Sequence, residues 1–157
     1  MFEKSVRDYN KILCDKITAL IGCDVVKSNS TGPVPKYPYV SFTTTGIHTH
    51  GRTYGDDGER LFTQATAAYS WTVQSDDDNE AMDLAQKLHD FFDRTGRTDL
   101  RDHGITVGHV GDISARDNIL TVEYEYRKGF DTTFYFLNIT DRPDETIETA
   151  DFNHNGG

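Results

Sequence analysis

Residues 68–92, AYSWTVQSDDDNEAMDLAQKLHDFF, describe a strand that runs directly into a helix. From Tyr69 to Gln74, apolar and polar side chains alternate with the two-residue period of a half-buried strand. After Ser75 the apolar residues recur every three or four positions, as they do on one face of a helix. These positions are Ala81, Leu84, Ala85, Leu88, Phe91 and Phe92. The stretch predicts a helix packed on its own sheet, with the N-cap at one of residues 75–78, where acidic side chains favour a helix start.

The rest of the chain predicts one more helix and several strands. The helix covers residues 2–21 and ends at Gly22. The predicted strands are 24–26, 39–47, 61–74, 105–110 and 118–137, with Gly129 as a bulge or bend in the last of them and 94–104 as a connecting loop. This order predicts an α+β fold, in which two helices pack on one face of a mostly antiparallel sheet of four strands or slightly more.

Two segments lack the patterns of regular structure. Residues 48–60, HTHGRTYGDDGER, contain three glycines and no apolar period, and they predict the tip of a long β-hairpin excursion. Residues 138–157 are acidic and poor in large apolar side chains, and they predict a flexible C-terminal tail. We therefore expect a single domain over residues 1–137, followed by this tail.

Composition narrows the possible functions. Hydrophobic residues make up 36% of the 157 residues, and no apolar run approaches the roughly 20 residues that cross a bilayer. The charged N-terminus lacks the apolar core of a secretion signal, so we expect a cytosolic protein in which Cys14 and Cys23 are free thiols. The net charge of −10 opposes non-specific adhesion to DNA, yet it suits a surface past which DNA must slide.

A search for catalytic and metal-binding patterns finds no specific one. The nearest candidate for a metal site is a set of histidines and acids, which lacks the spacing that makes zinc motifs specific. Its members are His48, His50, Asp56, Asp57 and His103. Glu123 and Glu125 share one face of the last predicted strand. We interpret this face as solvated rather than as the carboxylate pair of a glycosidase. There is no phosphate-binding glycine loop and no nucleophile signature. The sequence thus predicts no enzyme, no bound metal and no cofactor.

Three blocks of the chain together resemble a known family. They are TGPVPKYPYVSFT at 31–43, SWTVQSDDDNEAMDLAQKLHDFF at 70–92 and ISARDNILTVEYEYRKGFDTTF at 113–134. In this order and spacing they are similar to phage neck or tail terminator proteins of the neck-terminator type. The resemblance spans roughly residues 9–137, and the loop at 48–60 and the acidic tail depart from it.

The resemblance implies a virion structural protein of the neck, assembled in the host cytoplasm. It implies a homo-oligomeric ring, usually a hexamer, that caps the tail tube and meets the head-side connector, while double-stranded DNA passes through its channel. Exposure and lack of periodicity in the hairpin suggest interface or channel residues there: Arg52, Tyr54, Asp56, Asp57, Glu59 and Arg60. Two alternatives stay open, namely a head-completion adaptor or tail-tube-like subunit, and a small metal-binding protein or enzyme that uses His48 and His50.

Overall fold

A computed structural model describes residues 6–49, 55–56, 58, 60–119 and 124–141 of the chain. The helices are α1 (Val6–Ile21), α2 (Asp78–Asp90), which continues as a π-helical turn (Phe91–Thr95), and α3 (Arg97–Asp102). The strands are β1 (Asp24–Lys27), β2 (Tyr39–Thr49), β3 (Gly55–Asp56), β4 (Arg60–Ser75), β5 (Ile105–Val110), β6 (Ser114–Ala115), β7 (Asn118–Ile119) and β8 (Tyr124–Asp141). The predicted α+β fold is confirmed.

The sheet is organised around β4 and β8, which pair antiparallel along their whole common length, from Arg60↔Asp141 to Ser75↔Tyr126. The spatial order is β1-β2-β4-β8-β5, and the short strands β3, β6 and β7 pair with β4, β8 and β8 respectively. Only β1 runs parallel to its neighbour, β2, because residues 28–38 carry the chain back to the start of the sheet. β5, β6 and β7 follow one another along the outer edge of β8 as one interrupted strand.

Both long helices cover the same face of this sheet. The alternation at Tyr69, Trp71 and Val73 places all three side chains in the core, where they are almost fully buried. α2 contributes Leu88 and two alanines to that core, and α1 contributes Leu13 and two other residues. Neighbouring aromatic rings lie within stacking distance, for example Tyr69 and Trp71 at 5.6 Å between centroids. The periodicity of residues 68–92 therefore predicted the packing correctly.

The start of α2 has a single cap among the four predicted candidates. Asp77 is the N-cap, and its carboxylate accepts a hydrogen bond from the Asn79 backbone N–H at 3.3 Å. Ser75 braces the turn from behind: its hydroxyl accepts from the Asp77 N–H at 3.0 Å and donates to Glu80 at 2.7 Å. The acidic run thus serves as a helix start, because the Asp77 carboxylate meets an N–H group that lacks a partner within the helix.

The predicted connecting loop at 94–104 is wrong over most of its length, since it contains the π-helical turn and α3. Gly96 lies between the two, at a position that requires glycine because a Cβ there would lie 2.3 Å from the ring of Phe91. α3 has only six residues and buries one apolar side chain, Leu100. A helix of that length has too few apolar positions to show a period, which explains why sequence reasoning missed it.

The prediction of a single strand at 118–137 is wrong, because the stretch contains two antiparallel strands, β7 and β8. Asn118 pairs with Glu125, and β8 continues to Asp141, past the predicted end at Leu137. Alternation is the same in both paired strands, so the pattern could not reveal that they are two; residues 120–123 lie outside the described part of the chain. Gly129 is not a bulge, because its pairing with β4 is continuous. Of the predicted tail, residues 138–141 are paired strand, and residues 142–157 lie outside the described part of the chain.

Candidate functional site

The predicted hairpin site is only partly described. Asp56 lies in β3 opposite Leu61, and Arg60 begins β4 opposite Asp141. The other four predicted residues lie outside the described residues: Arg52, Tyr54, Asp57 and Glu59. The register places the described parts of the hairpin, β3 and the start of β4, at one end of the sheet.

Three chain segments converge at that end, which we call the extension end and define as residues 46–49, 55–56, 60–66 and 135–141. The pairing of β4 with β8 brings Arg60, the start of β4, beside Asp141, the last described residue of the chain. The first turn of α1 is also close, because the ring of Tyr9 stacks on that of Phe136 at 4.1 Å. Ile47 on β2 is half exposed, so the sheet extends past its helical cover here. The described residues that flank the two segments departing from the family resemblance therefore lie side by side.

The sheet face opposite the helices carries a network centred on Arg116. Its guanidinium donates through Nη1 to Ser70 Oγ at 2.8 Å and to Thr72 Oγ1 at 3.0 Å, and through Nη2 to Asp131 at 3.1 Å. Gly129 makes room for it, since a Cβ there would lie 2.7 Å from Nη1. This arginine holds the edge segment between β6 and β7 flat against β4 and β8. Sequence reasoning missed it, and the glycine inside a long strand was the available signal.

A second polar cluster joins α2 to the sheet at the end far from the hairpin tip. Lys128 is nearly buried, and its Nζ lies 2.9 Å from both Asp78 and Asp117. Burial works to lower the pKa of Lys128, but hydrogen bonds to Asp117 and Asp78 outweigh it and raise this pKa above 10.5. The hydrogen bond from Lys128, ahead of one from the Arg127 N–H, holds the pKa of Asp117 below 3.8. The cluster is a structural brace with all three charges paired.

The interpretation of Glu125 as part of a solvated face is wrong. Its side chain is buried and accepts hydrogen bonds from the Tyr37 hydroxyl at 2.8 Å and from Arg127 Nε at 2.7 Å. Glu123, its predicted companion, lies outside the described residues. Glu125 lies near the start of β8, and its carboxylate faces Tyr37 in the loop at 28–38. No local sequence pattern shows this contact, because the two residues are 88 positions apart.

Neither the histidines nor the thiols form a reactive centre in the described part of the chain. His103 contacts the Asp99 backbone oxygen at 2.9 Å at the end of α3, whereas His48 lies exposed on β2. No three His, Cys, Asp or Glu side chains among the described residues lie close enough together to hold a metal ion. The prediction of two free cysteines is confirmed, and burial raises the pKa of the Cys14 thiol to about 11, so it is a weak nucleophile.

Within the described residues, no helix is both long and apolar enough to span a membrane. The family model for phage neck terminator proteins matches residues 2–157. The chain belongs to this family. No curated protein matches it.

Family membership assigns a structural role in the virion neck, in association with other head and tail proteins, and the family is not an enzymatic one. The resemblance seen in three sequence blocks is thereby confirmed over nearly the full chain.

Proposed function

We propose that this neck terminator assembles as a homo-oligomeric ring, with six copies as the expected number, on the last ring of the tail tube. The ring ends tube growth and presents a docking surface to the head-side connector. The observation that carries the proposal is the convergence of the hairpin tip and the C-terminal segment at the extension end, in a chain of the neck terminator family. Two unpatterned segments at one end of a rigid sheet can order against neighbouring subunits together.

We place the interface or channel at the hairpin, on Arg52, Tyr54, Asp56, Asp57, Glu59 and Arg60. Mixed charges at a tip suit contact with a neighbouring copy, since closed rings repeat one contact between two different surface patches. The net charge of −10 per subunit, repeated around a ring, gives a channel to which DNA does not adhere when acids line it.

The proposal is tested by the mass of the purified protein alone and with isolated tails. A ring in solution, or a monomer that becomes a ring on tails, supports it. An open-ended polymer supports the tube-like alternative, because a terminator stops at one ring. A monomer that never binds tails refutes the proposal.

The hairpin assignment has its own experiment. Reversing the charges of Arg52 and Asp57 should impair ring formation or tail joining, because the contacts of the tip would become repulsive. The matched control reverses Lys11 and Asp15, an exposed ion pair on α1 with 2.9 Å between Nζ and the carboxylate. Equal assembly by both variants would remove the hairpin from the interface.

A further inference from the structure

Two strand edges of the sheet have no partner within the described residues. β2 continues past the end of β1, which pairs with residues 39–42 only, so the outer edge of residues 43–47 is open. On the other side of the sheet, β8 continues past β5, whose pairing begins at Phe136, so the outer edge of residues 137–141 is open as well. The N–H and C=O groups along an open edge are a template for a strand from another chain.

The β2 edge has room for such a strand. A cavity of about 200 Å³, lined in part by Thr43, lies where β1 ends. A Cβ at Gly46 would meet none of the described residues beyond its chain neighbours within 4 Å, and Ile47 is 50% exposed although it is large and apolar. A bulge at Thr45 does not end the strand, because its hydroxyl donates to the Ala68 backbone oxygen at 3.2 Å and pairing with β4 resumes at Gly46. An added strand would therefore meet no obstacle in the described residues and would cover Ile47.

The two outermost strands of the sheet carry features that oppose strand addition. β1 has only four residues, with an exposed, charged residue at each end. Two backbone carbonyls of β5 are already occupied by Arg97, which donates to Val107 at 2.9 Å and to Gly108 at 3.3 Å. By contrast, residues 43–47 contain no charged residue and no proline, and residues 137–141 contain one charged residue, the last. The chain thus leaves unprotected the two edges that project beyond their neighbours.

The two open edges fit each other in position and direction. They face opposite sides of the sheet, because β4 lies between β2 and β8. β2 and β8 both run antiparallel to β4, so in a ring of equally oriented copies the β8 edge of one copy meets the β2 edge of the next as a parallel pair. The edges are offset along β4, since Gly46 pairs with Ala68 and Ile139 with Phe62. Sheets that close into a ring require such a stagger, because their strands tilt.

We propose that residues 137–141 of one copy pair with residues 43–47 of a second copy, so that the sheets of neighbouring subunits join around the ring. This inference rests on the ring proposed above and names the backbone contact that holds its subunits together. The partner is a second copy because every copy supplies both edges, and a closed ring leaves neither of them open. Both stretches have five residues, so each can pair along its whole length. Burial of Ile47 adds an apolar contribution to the contact.

Cysteine cross-linking tests the pairing directly. Chains that carry Thr43→Cys are mixed with differently tagged chains that carry one cysteine in turn along residues 137–141, both alone and with isolated tails. Paired strands lie about 4.8 Å apart, within the roughly 4.4–6.8 Å between Cα atoms that a disulfide requires, so we expect bonds between the two kinds of chain. Thr106→Cys replaces Thr43→Cys in the control, because Thr106 is exposed on β5, and it should give no more than background. The native chain with its two free cysteines sets that background.

A charge on the β2 edge tests the same contact by a second route. Ile47→Lys should lower the yield of the cross-link about tenfold, because the added strand would bury an ammonium group in place of an apolar side chain. Met82→Lys makes the same change at a side chain on α2 that is 42% exposed, and it should leave the yield unaltered. Equal yields from both variants overturn the inference. If Ile47→Lys fails to fold, as circular dichroism would show, the cysteine series decides, because it keeps Ile47.

The outcomes separate this inference from the proposed function. A ring whose chains give no cross-link between the two edges overturns the inference and leaves the proposed function standing. Cross-links that build an open-ended polymer support the edge pairing and count against the ring. Bonds from Thr43→Cys to Thr146→Cys but to no position in 137–141 would assign the edge to the C-terminal segment, and bonds to tail proteins alone would assign it to the tail. Either result overturns the pairing of two copies.

Discussion

Leu88→Ala tests the central packing claim, that α2 docks on the sheet through the face first seen as a periodic pattern. Leu88 is 0% exposed and belongs to the core cluster that includes Trp71 and Phe92. The change removes three carbons, about 2.4 kcal/mol of transfer free energy at about 0.8 kcal/mol per methylene. The rigid aromatic neighbours limit collapse into the space left behind, which adds a cavity cost and raises the expected loss to about 3–4 kcal/mol.

The assay is urea unfolding followed by the circular dichroism of the helices, at two protein concentrations because assembly also stabilises a subunit. The free energy of unfolding should fall by the stated amount with an unchanged m-value, and the melting temperature by about 6–16 °C for a domain of this size. Met82→Ala is the control, since Met82 is on the same helix and 42% exposed. It should cost less than about 1 kcal/mol. An equally small loss for Leu88→Ala would refute the docking of this face.

Three further outcomes follow from individual contacts. Gly129→Ala places a Cβ 2.4 Å from a backbone oxygen of β4 and should lower the free energy of unfolding in urea by about 1–3 kcal/mol. Gly46→Ala is the control, because nothing lies within 4 Å of the added Cβ, and it should be nearly neutral. Equal effects would contradict the close approach at Gly129. Lys128→Met should lower the urea midpoint at pH 7. The difference in urea midpoint between the variant and the native chain should shrink as the pH falls below 3.8, because the lowered pKa of Asp117 stabilises the fold only while that carboxylate is ionised. A difference independent of pH would rule out this pair as the cause. Alkylation of Cys14 by iodoacetamide, read by mass spectrometry, should rise about tenfold per pH unit until near pH 11, and a plateau at pH 9 would contradict the raised pKa.

Local pattern was sufficient for most elements of this fold. The boundaries of β2, β4 and β5 agree with the predicted strands to within two residues, and Gly22 ends α1 with φ of +71°, as its position predicted. These features depend on side-chain period and on a residue without Cβ, both of which are legible within a few neighbours. α3 and the division into β7 and β8 were missed, because a six-residue helix is too short to show a period and alternation is the same in both paired strands.

The candidate site was less accessible to sequence. The hairpin at 48–60 stood out through its glycines and lack of pattern, and its place as a sheet extension agrees with the register of β4. No sequence pattern predicted the roles of Arg116 and Lys128, because Arg116 crosses the sheet to Ser70 and Lys128 joins Asp78 to Asp117. A charged residue reveals its partners only when strands distant in sequence become neighbours in space.

The sequence by itself determined most helices and strands, their apolar faces and the family, because these depend on neighbours along the chain or on the order and spacing of sequence blocks. The tertiary structure alone decided which segments share an end of the sheet and which charges meet. Arg116 reaches Ser70, and Lys128 meets Asp78 and Asp117, only because β4, β8 and the edge strands pair in one register. Pairing register is a property of long-range backbone hydrogen bonds and core packing together, and no window of sequence contains it.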